Sequence, residues 1–305
     1  MGEIVAIGNP VFDIIETPYI KTNGRVLSGC STNAALTYGK LGGKAYLIGK
    51  VGREFSRELI NVSKKYNVEA YPLLSKDTGG FHLIYKDKEM RDRDLFILGI
   101  AEKISFEEIP NNLWDKDGFI IGPILQEIDK EFMESMFQIL DDKPILLDPQ
   151  GLIREIINNK VYRVRKEWVI EAFSKINIIK PNEHEAEILF PNLEHWKAAE
   201  KISKINNEIG IVTIADRGSY ISFNGNVYHI PAYKTIERDP TGCGDVYGGA
   251  YLYYYLKTHD PLESAAFASA AASFMVESVG PDFELSLKLV EERFEKIIEG
   301  IKKIK

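Results

Sequence analysis

The chain has 305 residues, of which 45% are hydrophobic and 27% charged, and its 38 Lys and Arg against 45 Asp and Glu give a formal net charge of −7. This composition is typical of a globular protein and excludes collagenous, mucin-like and largely disordered chains. The acidic balance argues against nucleic acid as the main partner. The 2 cysteines cannot build a disulfide framework, which predicts a reducing, cytoplasmic setting.

Short apolar runs alternate with helical patterns along the chain. Strands are predicted over residues 4–7, 45–48, 118–121, 144–147, 176–180, 211–214 and 220–223. Helices are predicted over residues 32–41, 56–66, 130–140, 183–189, 195–206, 245–256, 261–276 and 284–301. Strands separated by helices are typical of βαβ units, so the sequence predicts an α/β fold with a mostly parallel central sheet and helices on both faces.

We expect no membrane partner. Residues 2–8 lack the layout of a signal peptide, because they include an acidic residue and only a short apolar run. Residues 264–276 carry no charge but are too few to span a bilayer, and their Ala and Ser content predicts a buried, closely packed helix.

Two segments, approximately residues 12–28 and 78–98, break the alternation and have an extended pattern. In the second, two strand-like runs flank a charged turn, which is typical of a hairpin. We predict that both segments form a small β lid on a single catalytic domain of residues 1–305, with ordinary edge strands as the alternative. Residues 150–165 are a candidate for a further hairpin. An apolar edge such as residues 81–85 needs covering, so we also predict a homodimer through the lid.

Residues 239–250 carry the most informative pattern. Gly242 and Gly244 permit a tight turn before a helix, so free amides of Gly242, Cys243 and Gly244 would form an anion cradle at the helix N-terminus. A carboxylate beside a bound phosphate needs a role, and Asp245 is suited to be the general base toward a substrate hydroxyl. The structural alternative is a helix N-cap with close packing.

Two other glycine motifs do not fit this segment. A dinucleotide fingerprint needs a third glycine where Tyr247 stands, and a Walker A loop needs a lysine after Gly244. An oxidoreductase on a dinucleotide-binding sheet is therefore disfavoured. Cys243 is better explained as a small residue in a tight turn than as a nucleophile.

The run Asp239-Pro240-Thr241-Gly242-Cys243-Gly244-Asp245 resembles the Asp-Thr-x-Gly-Ala-Gly-Asp signature of the ribokinase/PfkB family of carbohydrate kinases. Residues 8–13, 28–33, 180–186 and 212–218 resemble further motifs of that family, in its order, so nearly the whole chain is covered. The resemblance implies a ribokinase-like three-layer α/β/α sandwich with a small β lid. It also implies ATP-dependent transfer of the γ-phosphate to a hydroxyl of a sugar, polyol or related small molecule.

Four positions depart from the family pattern. Ser28 replaces the first Gly of a pair, Cys243 replaces Ala, and Pro240 replaces Thr. Ala215 replaces a Gly of the nucleotide-side turn, where it needs a backbone conformation that Gly adopts more readily. None of these changes removes Asp245.

The resemblance assigns the site residues to four groups, except Arg93, which is a candidate because of its charge and its position in the predicted lid. The catalytic group is Asp245 with Gly242, Cys243 and Gly244; the substrate-binding group is Asp13, Gly29, Asn33, Arg93 and Gln150; the nucleotide-binding group is Thr213, Asp216, Gly218 and Gly280; the metal group is Asn182 and Glu185 for Mg²⁺ through water, with Asp239 as a candidate for a monovalent cation. The expected cofactors are thus ATP and Mg²⁺, with a monovalent cation as a candidate.

Some of these residues have a second interpretation. Asn182 and Glu185 equally fit an N-cap followed by a first-turn acid. Arg91 and Arg93 suit a carboxylate or polyol, but also a solvated hairpin tip. Asp13 equally fits a turn at the end of a strand.

The acceptor is the least determined part of the prediction. Residues 148–154 resemble an Asp-x-Gln-Gly/Ala-x-x-Arg segment of a subgroup that includes myo-inositol kinases. Myo-inositol is therefore the leading acceptor, and a nucleoside is the second. A non-catalytic sugar- or nucleotide-binding regulator is the alternative function, and the intact Asp245 argues against it.

Overall fold

The computed structural model describes residues 2–90, 93–140 and 142–305. The strands in chain order are β1 (Glu3–Ile7), β2 (Val11–Glu16), β3 (Val26–Ser28), β4 (Lys44–Val51), β5 (Val68–Leu74), β6 (Gly80–Tyr85), β7 (Arg93–Gly99), β8 (Gly118–Ile121), β9 (Ile145–Leu147), β10 (Arg154–Ile157), β11 (Lys160–Arg163), β12 (Ile178–Ile179), β13 (Ile209–Thr213), β14 (Ser219–Phe223), β15 (Asn226–Ile230) and β16 (Lys302–Lys303). The helices are α1 (Cys30–Lys40), α2 (Arg53–Lys65), α3 (Lys130–Phe137), α4 (Glu167–Ala172), α5 (Glu183–Leu189), α6 (His195–Asn206), α7 (Cys243–Thr258), α8 (Pro261–Met275) and α9 (Leu287–Ile298).

The main sheet of the described chain has ten strands, in the order β16-β15-β14-β13-β12-β9-β8-β1-β4-β5. The strands from β13 to β5 pair in parallel. The other three strands join antiparallel at one side. The predicted, mostly parallel central sheet is confirmed.

Helices cover both faces of this sheet because its central strands are apolar on both sides. In β1, Ile4 and Ala6 belong to a buried cluster with residues of α1, α7 and α8. Val5 and Ile7, which point the other way, belong to a second cluster with residues of α3 and α6. The predicted α/β fold with helices on both faces is therefore confirmed.

A second sheet has six strands, in the order β10-β11-β7-β6-β2-β3, and we call these six strands the lid. The first predicted extended segment supplies β2 and β3, and the second supplies the hairpin of β6 and β7. The hairpin predicted within residues 150–165 is formed by β10 and β11. The assignment of residues 1–305 to a single domain stays a prediction.

Residues 81–85 do not form the apolar edge that we expected. They lie in β6, an interior strand of the lid with β2 on one side and β7 on the other. Phe81, Leu83 and Tyr85 are buried. The expected dimer therefore cannot depend on this strand as an uncovered edge.

Helix ends follow local caps more closely than the hydrophobic period. Helix α1 begins at Cys30, two residues earlier than predicted, because Gly29 turns the chain at φ 116°. Helix α9 begins at Leu287 rather than at 284, because the Ser286 side chain accepts from the Leu289 amide. The prediction omitted β5, α4 and β16, and the strand-like stretch that it gives over residues 228–236 is β15, which ends at Ile230. Within the described chain, no helix has the length and apolar character that crossing a bilayer would require.

Candidate active site

A cleft of ≈ 580 Å³ opens where the lid faces the carboxyl ends of the main-sheet strands. Asp148 follows β9, Lys180 follows β12 and Thr213 ends β13, and all three line the cleft. The lid contributes Asp13 and Arg93. The carboxyl ends of parallel strands are the usual ligand-binding edge of such sheets, so this topology gathers residues that are far apart in sequence.

The N-terminus of α7 forms the turn that the glycine motif predicts. Gly242 caps the helix with φ 84° and ψ −4°, and a Cβ there would come 2.7 Å from Asn33 Nδ2. The amides of Gly242 and Gly244 have no acceptor among the described residues. The amide of Cys243 donates to the Pro240 carbonyl at 3.2 Å. The cradle therefore has two free amides rather than the expected three.

Asp245 lies on the first turn of α7 with both carboxylate oxygens held. Asn33 Nδ2 donates to Oδ2 at 2.9 Å and Gln150 Nε2 donates to Oδ1 at 3.4 Å. Burial and the charge of Asp148 raise the pKa of Asp245, while the Asn33 hydrogen bond and Lys180 act to lower it. A carboxylate that is oriented in this way and holds a proton more tightly than usual is well suited to accept one from a hydroxyl.

Beneath Asp245 lies a buried ion pair that the sequence analysis missed. Lys180 Nζ is 2.7 Å from Asp148 Oδ2, and the two side chains are 2% and 5% exposed. Burial acts to lower the pKa of Lys180, but the carboxylate of Asp148 raises it above its usual value. The ligand atoms of Cys30, Asp148 and Asp245 lie within 4.8 Å of one another. The signal was a lysine directly before the Pro-Asn pair of residues 181–182, to which we gave no role.

The acceptor-side residues lie on the lid and the start of α1. Asp13 is buried and accepts from the Phe81 amide at 2.7 Å. Burial raises the pKa of Asp13 to about 6, against the opposing effects of the Phe81 amide, Ser28 and nearby arginines. Gly29 lines the cleft with Asp13. The Asn33 side chain donates to Asp245 and does not line the cleft.

Arg93 connects the lid to the loop before α7. Its guanidinium lies over the Tyr85 ring and donates to the Tyr85 hydroxyl. That hydroxyl is 3.0 Å from Thr241 Oγ1. Arg93 is thus a cleft residue rather than a solvated hairpin tip. Arg91 lies outside the described residues.

Asn182 and Glu185 form the capping box that was one of their two interpretations. The Glu185 amide donates to Asn182 Oδ1 at 3.0 Å, and the Glu185 carboxylate accepts from the Asn182 amide at 2.9 Å and from Nδ2 at 2.8 Å. Both residues line the cleft. Burial and Asp148 raise the pKa of Glu185. Because these hydrogen bonds already engage both Glu185 oxygens, the pair fits Mg²⁺ contacted through water, for which oxygen groups are the preferred surroundings.

The nucleotide-side residues divide into two sets. Thr213, Asp216 and Gly218 line the cleft. Ala215, at the family's Gly position, has φ 52°, which is the left-handed conformation that its place required. Gly280 is not brought to the cleft wall, because it lies in a loop beside the lid, where a Cβ would be 3.9 Å from Val26 Cβ.

Asp239 lies behind the α7 loop rather than on the cleft wall. It is fully buried, and its Oδ1 accepts from the Thr241 amide at 2.9 Å. Its Oδ2 is buried with no hydrogen-bond partner in the described chain. Burial raises the pKa of Asp239. A buried carboxylate oxygen without a donor fits a small cation.

Comparisons with known proteins agree with this geometry. The pfkB family carbohydrate kinase profile matches residues 1–287. The cytidine kinase of Thermococcus kodakarensis is 26% identical over 270 residues, which is 86% of this chain and 91% of that protein. A ribokinase of Thermotoga maritima superposes with a TM-score of 0.77 at 22% identity, covering 97% of this chain and 100% of the other.

A further solved structure is a pyrophosphate-dependent myo-inositol-1 kinase converted by mutation into a myo-inositol-3 kinase. It superposes with a TM-score of 0.78 at 22% identity, covering 97% of this chain and 99% of the other. These likenesses confirm the ribokinase-like fold. The chain therefore belongs to the pfkB family of carbohydrate kinases, which are phosphotransferases with an alcohol group as acceptor.

Proposed function

We propose that the protein transfers the γ-phosphate of ATP to a hydroxyl of a polyol, with myo-inositol as the first acceptor to test. The observation that carries the proposal is the position of Asp245. Two amide side chains, from Asn33 and Gln150, orient its carboxylate. Asp245 also lies on the same helical turn as the free amides of Gly242 and Gly244. Phosphoryl transfer needs a base at the attacking hydroxyl and donors at the transferred group, and this turn offers both.

The reaction can be written with these residues in defined roles. Asp13 accepts hydrogen bonds from hydroxyls of the acceptor, and the proton of the attacking hydroxyl passes to a carboxylate oxygen of Asp245. The hydroxyl oxygen bonds to the γ-phosphorus as the bond to the β–γ bridging oxygen breaks, and ADP leaves. The amides of Gly242 and Gly244 donate to the phosphoryl oxygens during the transfer.

Asn182 and Glu185 would hold Mg²⁺ through its water shell, where it neutralises the charge on the donor phosphates. Asp239 would hold a monovalent cation through its partnerless Oδ2. Thr213, Asp216 and Gly218 would flank the nucleotide. The role of Gly280 beside the adenine remains a prediction that the cleft geometry does not support.

Two observations bear on the acceptor. The segment 148–154 supports myo-inositol, as does the structural likeness to a myo-inositol kinase. Gln150 from this segment reaches the base, so a substrate held by Gln150 would lie next to Asp245. A nucleoside is the second candidate, because a cytidine kinase is among the similar proteins.

A product assay decides among these acceptors. The purified protein is incubated with Mg²⁺, ATP or pyrophosphate, and one of myo-inositol, ribose, fructose, a 2-keto-3-deoxy sugar acid or cytidine. Phosphorylated products are identified by mass spectrometry, with Asp245→Asn as the control. Product from myo-inositol and none in the control is the expected result. Tight binding of a sugar without product from any pair would favour the non-catalytic regulator.

The homodimer through the lid also remains a proposal. Its support is apolar exposure, since Phe96, Leu98, Ile157 and Tyr162 of the lid strands are 38%, 40%, 49% and 44% exposed. A second copy would cover them. Light scattering of the wild type and of Phe96→Glu tests this, and a wild-type monomer would contradict it. A cytoplasmic location and the lack of nucleic-acid and membrane partners stay predictions.

A further inference from the structure

The lid places three arginines at the cleft. Arg154 begins β10, Arg163 ends β11 and Arg93 begins β7, and all three line the cleft. Arg154 and Arg163 are directly opposed in the antiparallel pair, and opposed residues project from the same face of a sheet. We call these three residues the arginine cluster.

Burial acts to lower the pKa of Arg93, but the Tyr85 hydroxyl and the carboxylates of Asp239 and Asp245 raise it. The member of the arginine cluster whose charge is disfavoured is Arg154. Arg154 is only 4% exposed. Burial lowers its pKa, and the guanidinium groups of Arg163 and Arg93 lower it further, against the opposing charges of Glu185 and Asp148. Like charges opposed on neighbouring strands destabilise a sheet, and a buried charge needs a partner. The fold therefore keeps an arrangement that an anion would relieve.

Within residues 2–90, 93–140 and 142–305, no carboxylate forms an ion pair with the arginine cluster; the paired arginines there are Arg165, Arg217 and Arg293. Arg154 donates one hydrogen bond, to the Ile124 carbonyl at 2.9 Å. Arg93 Nε is buried with no partner among the described residues. Each guanidinium has five N–H donors, so most donors of the cluster remain for a ligand.

We infer that the arginine cluster binds an anionic oxygen group, a phosphoryl or a carboxylate, inside the cleft. The planar guanidinium fork matches both groups in geometry and charge. The charge of Arg93 acts on Asp13 and Asp245, at the acceptor side. The charge of Arg154 acts on Glu185, at the proposed metal side. The cluster thus extends to the region where both substrates of a kinase meet.

Two molecules could supply this anion: the donor, through its terminal phosphoryl group, or an acceptor with an acidic substituent. This identification of the anion rests on the proposed kinase function. The binding of an anion does not, so the two can be tested separately.

Titration with inorganic phosphate tests the site without turnover. Calorimetry at constant ionic strength compares phosphate binding by the wild type, by Arg163→Gln and by Arg165→Gln. Arg165→Gln is the matched control, because Arg165 pairs with Glu167 and is not a cleft residue. We expect phosphate affinity to fall about tenfold or more in Arg163→Gln and to change less than about twofold in the control. Equal affinity in all three proteins, or no binding by the wild type up to about 20 mM phosphate, would overturn the inference.

Stability without phosphate gives a second readout. Because Arg163 opposes Arg154, Arg163→Gln should raise the urea midpoint of the phosphate-free protein, while Arg165→Gln should leave it nearly unchanged. If Arg163 only stabilised the fold, Arg163→Gln would lower the urea midpoint. A lower midpoint in Arg163→Gln would therefore contradict the inference.

Steady-state kinetics distinguishes the two sources of the anion. If the donor supplies it, Arg163→Gln raises KM for ATP and leaves KM for a neutral polyol unchanged. If the acceptor supplies it, the same variant raises KM for a sugar acid and leaves KM for ATP unchanged. Unchanged KM for both substrates would contradict the inference. A wild-type protein that binds phosphate through Arg163 but phosphorylates nothing would contradict only the proposed function.

Discussion

The buried ion pair of Lys180 and Asp148 offers a direct test of how Asp245 is kept able to accept a proton. Oxygen atoms of Asp148 and Asp245 lie within 4.8 Å of each other. At an effective dielectric constant of about 20, two unit charges at that distance repel by roughly 3 kcal/mol. Two carboxylates this close resist ionising together, and the Lys180 ammonium, 2.7 Å from Asp148, is the charge that offsets their repulsion.

Replacing the lysine removes that offset. Lys180→Met leaves Asp148 buried without its partner, and the loss of one member of a buried pair costs about 3–5 kcal/mol of unfolding free energy. The pKa of Asp245, which burial and Asp148 already raise, should rise further. A base acts in its ionised form, so the acidic limb of the pH–rate profile should move to higher pH.

A second change tests the electrostatic cause. In Lys180→Met with Asp148→Asn both charges are gone, so the double variant should regain much of the lost stability and its acidic limb should move back. Arg93, Cys30 and Cys243 also interact with Asp245 and are left unchanged. The variant Lys204→Met is the control and should cost less than about 0.5 kcal/mol. It removes the exposed member of an i,i+4 pair on α6, and Glu200 keeps its second ion pair, with Lys305.

Urea denaturation at neutral pH measures the stabilities, and initial rates between about pH 5 and 9 measure the limb. Two results would refute the reasoning. One is a folded Lys180→Met protein with an unmoved acidic limb. The other is a double variant whose limb stays where the single variant put it.

Three further predictions concern single positions. Asp245→Asn should lower kcat by about 10²–10⁴-fold while the urea midpoint stays at or above the wild-type value; more than about a tenth of wild-type turnover would contradict the role as base. The pKa of Asp13 is raised to about 6 from an ordinary 3.8, so the folded state binds the proton more tightly and stability falls as pH rises between these values. Asp13→Asn should remove this pH dependence, about 3 kcal/mol in total, in urea titrations at pH 4 to 7. An unchanged pH dependence would mean that a group other than Asp13 causes it. Ala215 has φ 52°, so Ala215→Gly should stabilise the fold by about 0.5 kcal/mol. Glycine relieves roughly 1 kcal/mol of left-handed strain, which exceeds the stability lost through the greater conformational entropy of the unfolded chain. A lower melting temperature would contradict this prediction.

The sequence could predict the residues of the site better than their pairings. Asp245 and Gly242 were identifiable because one turn holds the base and the cradle, and that pattern is local. The partner of Lys180 was not identifiable, because Asp148 is 32 positions away. Their contact depends on β9 and β12 being neighbours in the sheet, and strand order is not encoded in any short window of sequence.

The same limit explains why the third amide of the cradle was counted wrongly. Composition and spacing place Cys243 at a helix start, where a free N–H is the default. The Pro240 carbonyl takes that N–H, and this depends on how the preceding loop folds back over the helix. Glycine at 242, by contrast, was a sound indication, because a side chain there would collide with Asn33.

The Asn182–Glu185 pair shows why one pattern supported two interpretations. A capping box and an outer-sphere metal site both need an amide and an acid three residues apart at a helix start. The cap uses the hydrogen-bonding capacity of Glu185, yet it does not neutralise the charge of that carboxylate. That charge is buried near Asp148, and both features raise the pKa of Glu185. The capping box thus fixes the position of the carboxylate. The charges that surround it, Asp148 against Lys180 and Arg154, come from other parts of the chain, so sequence spacing alone could not separate the two interpretations.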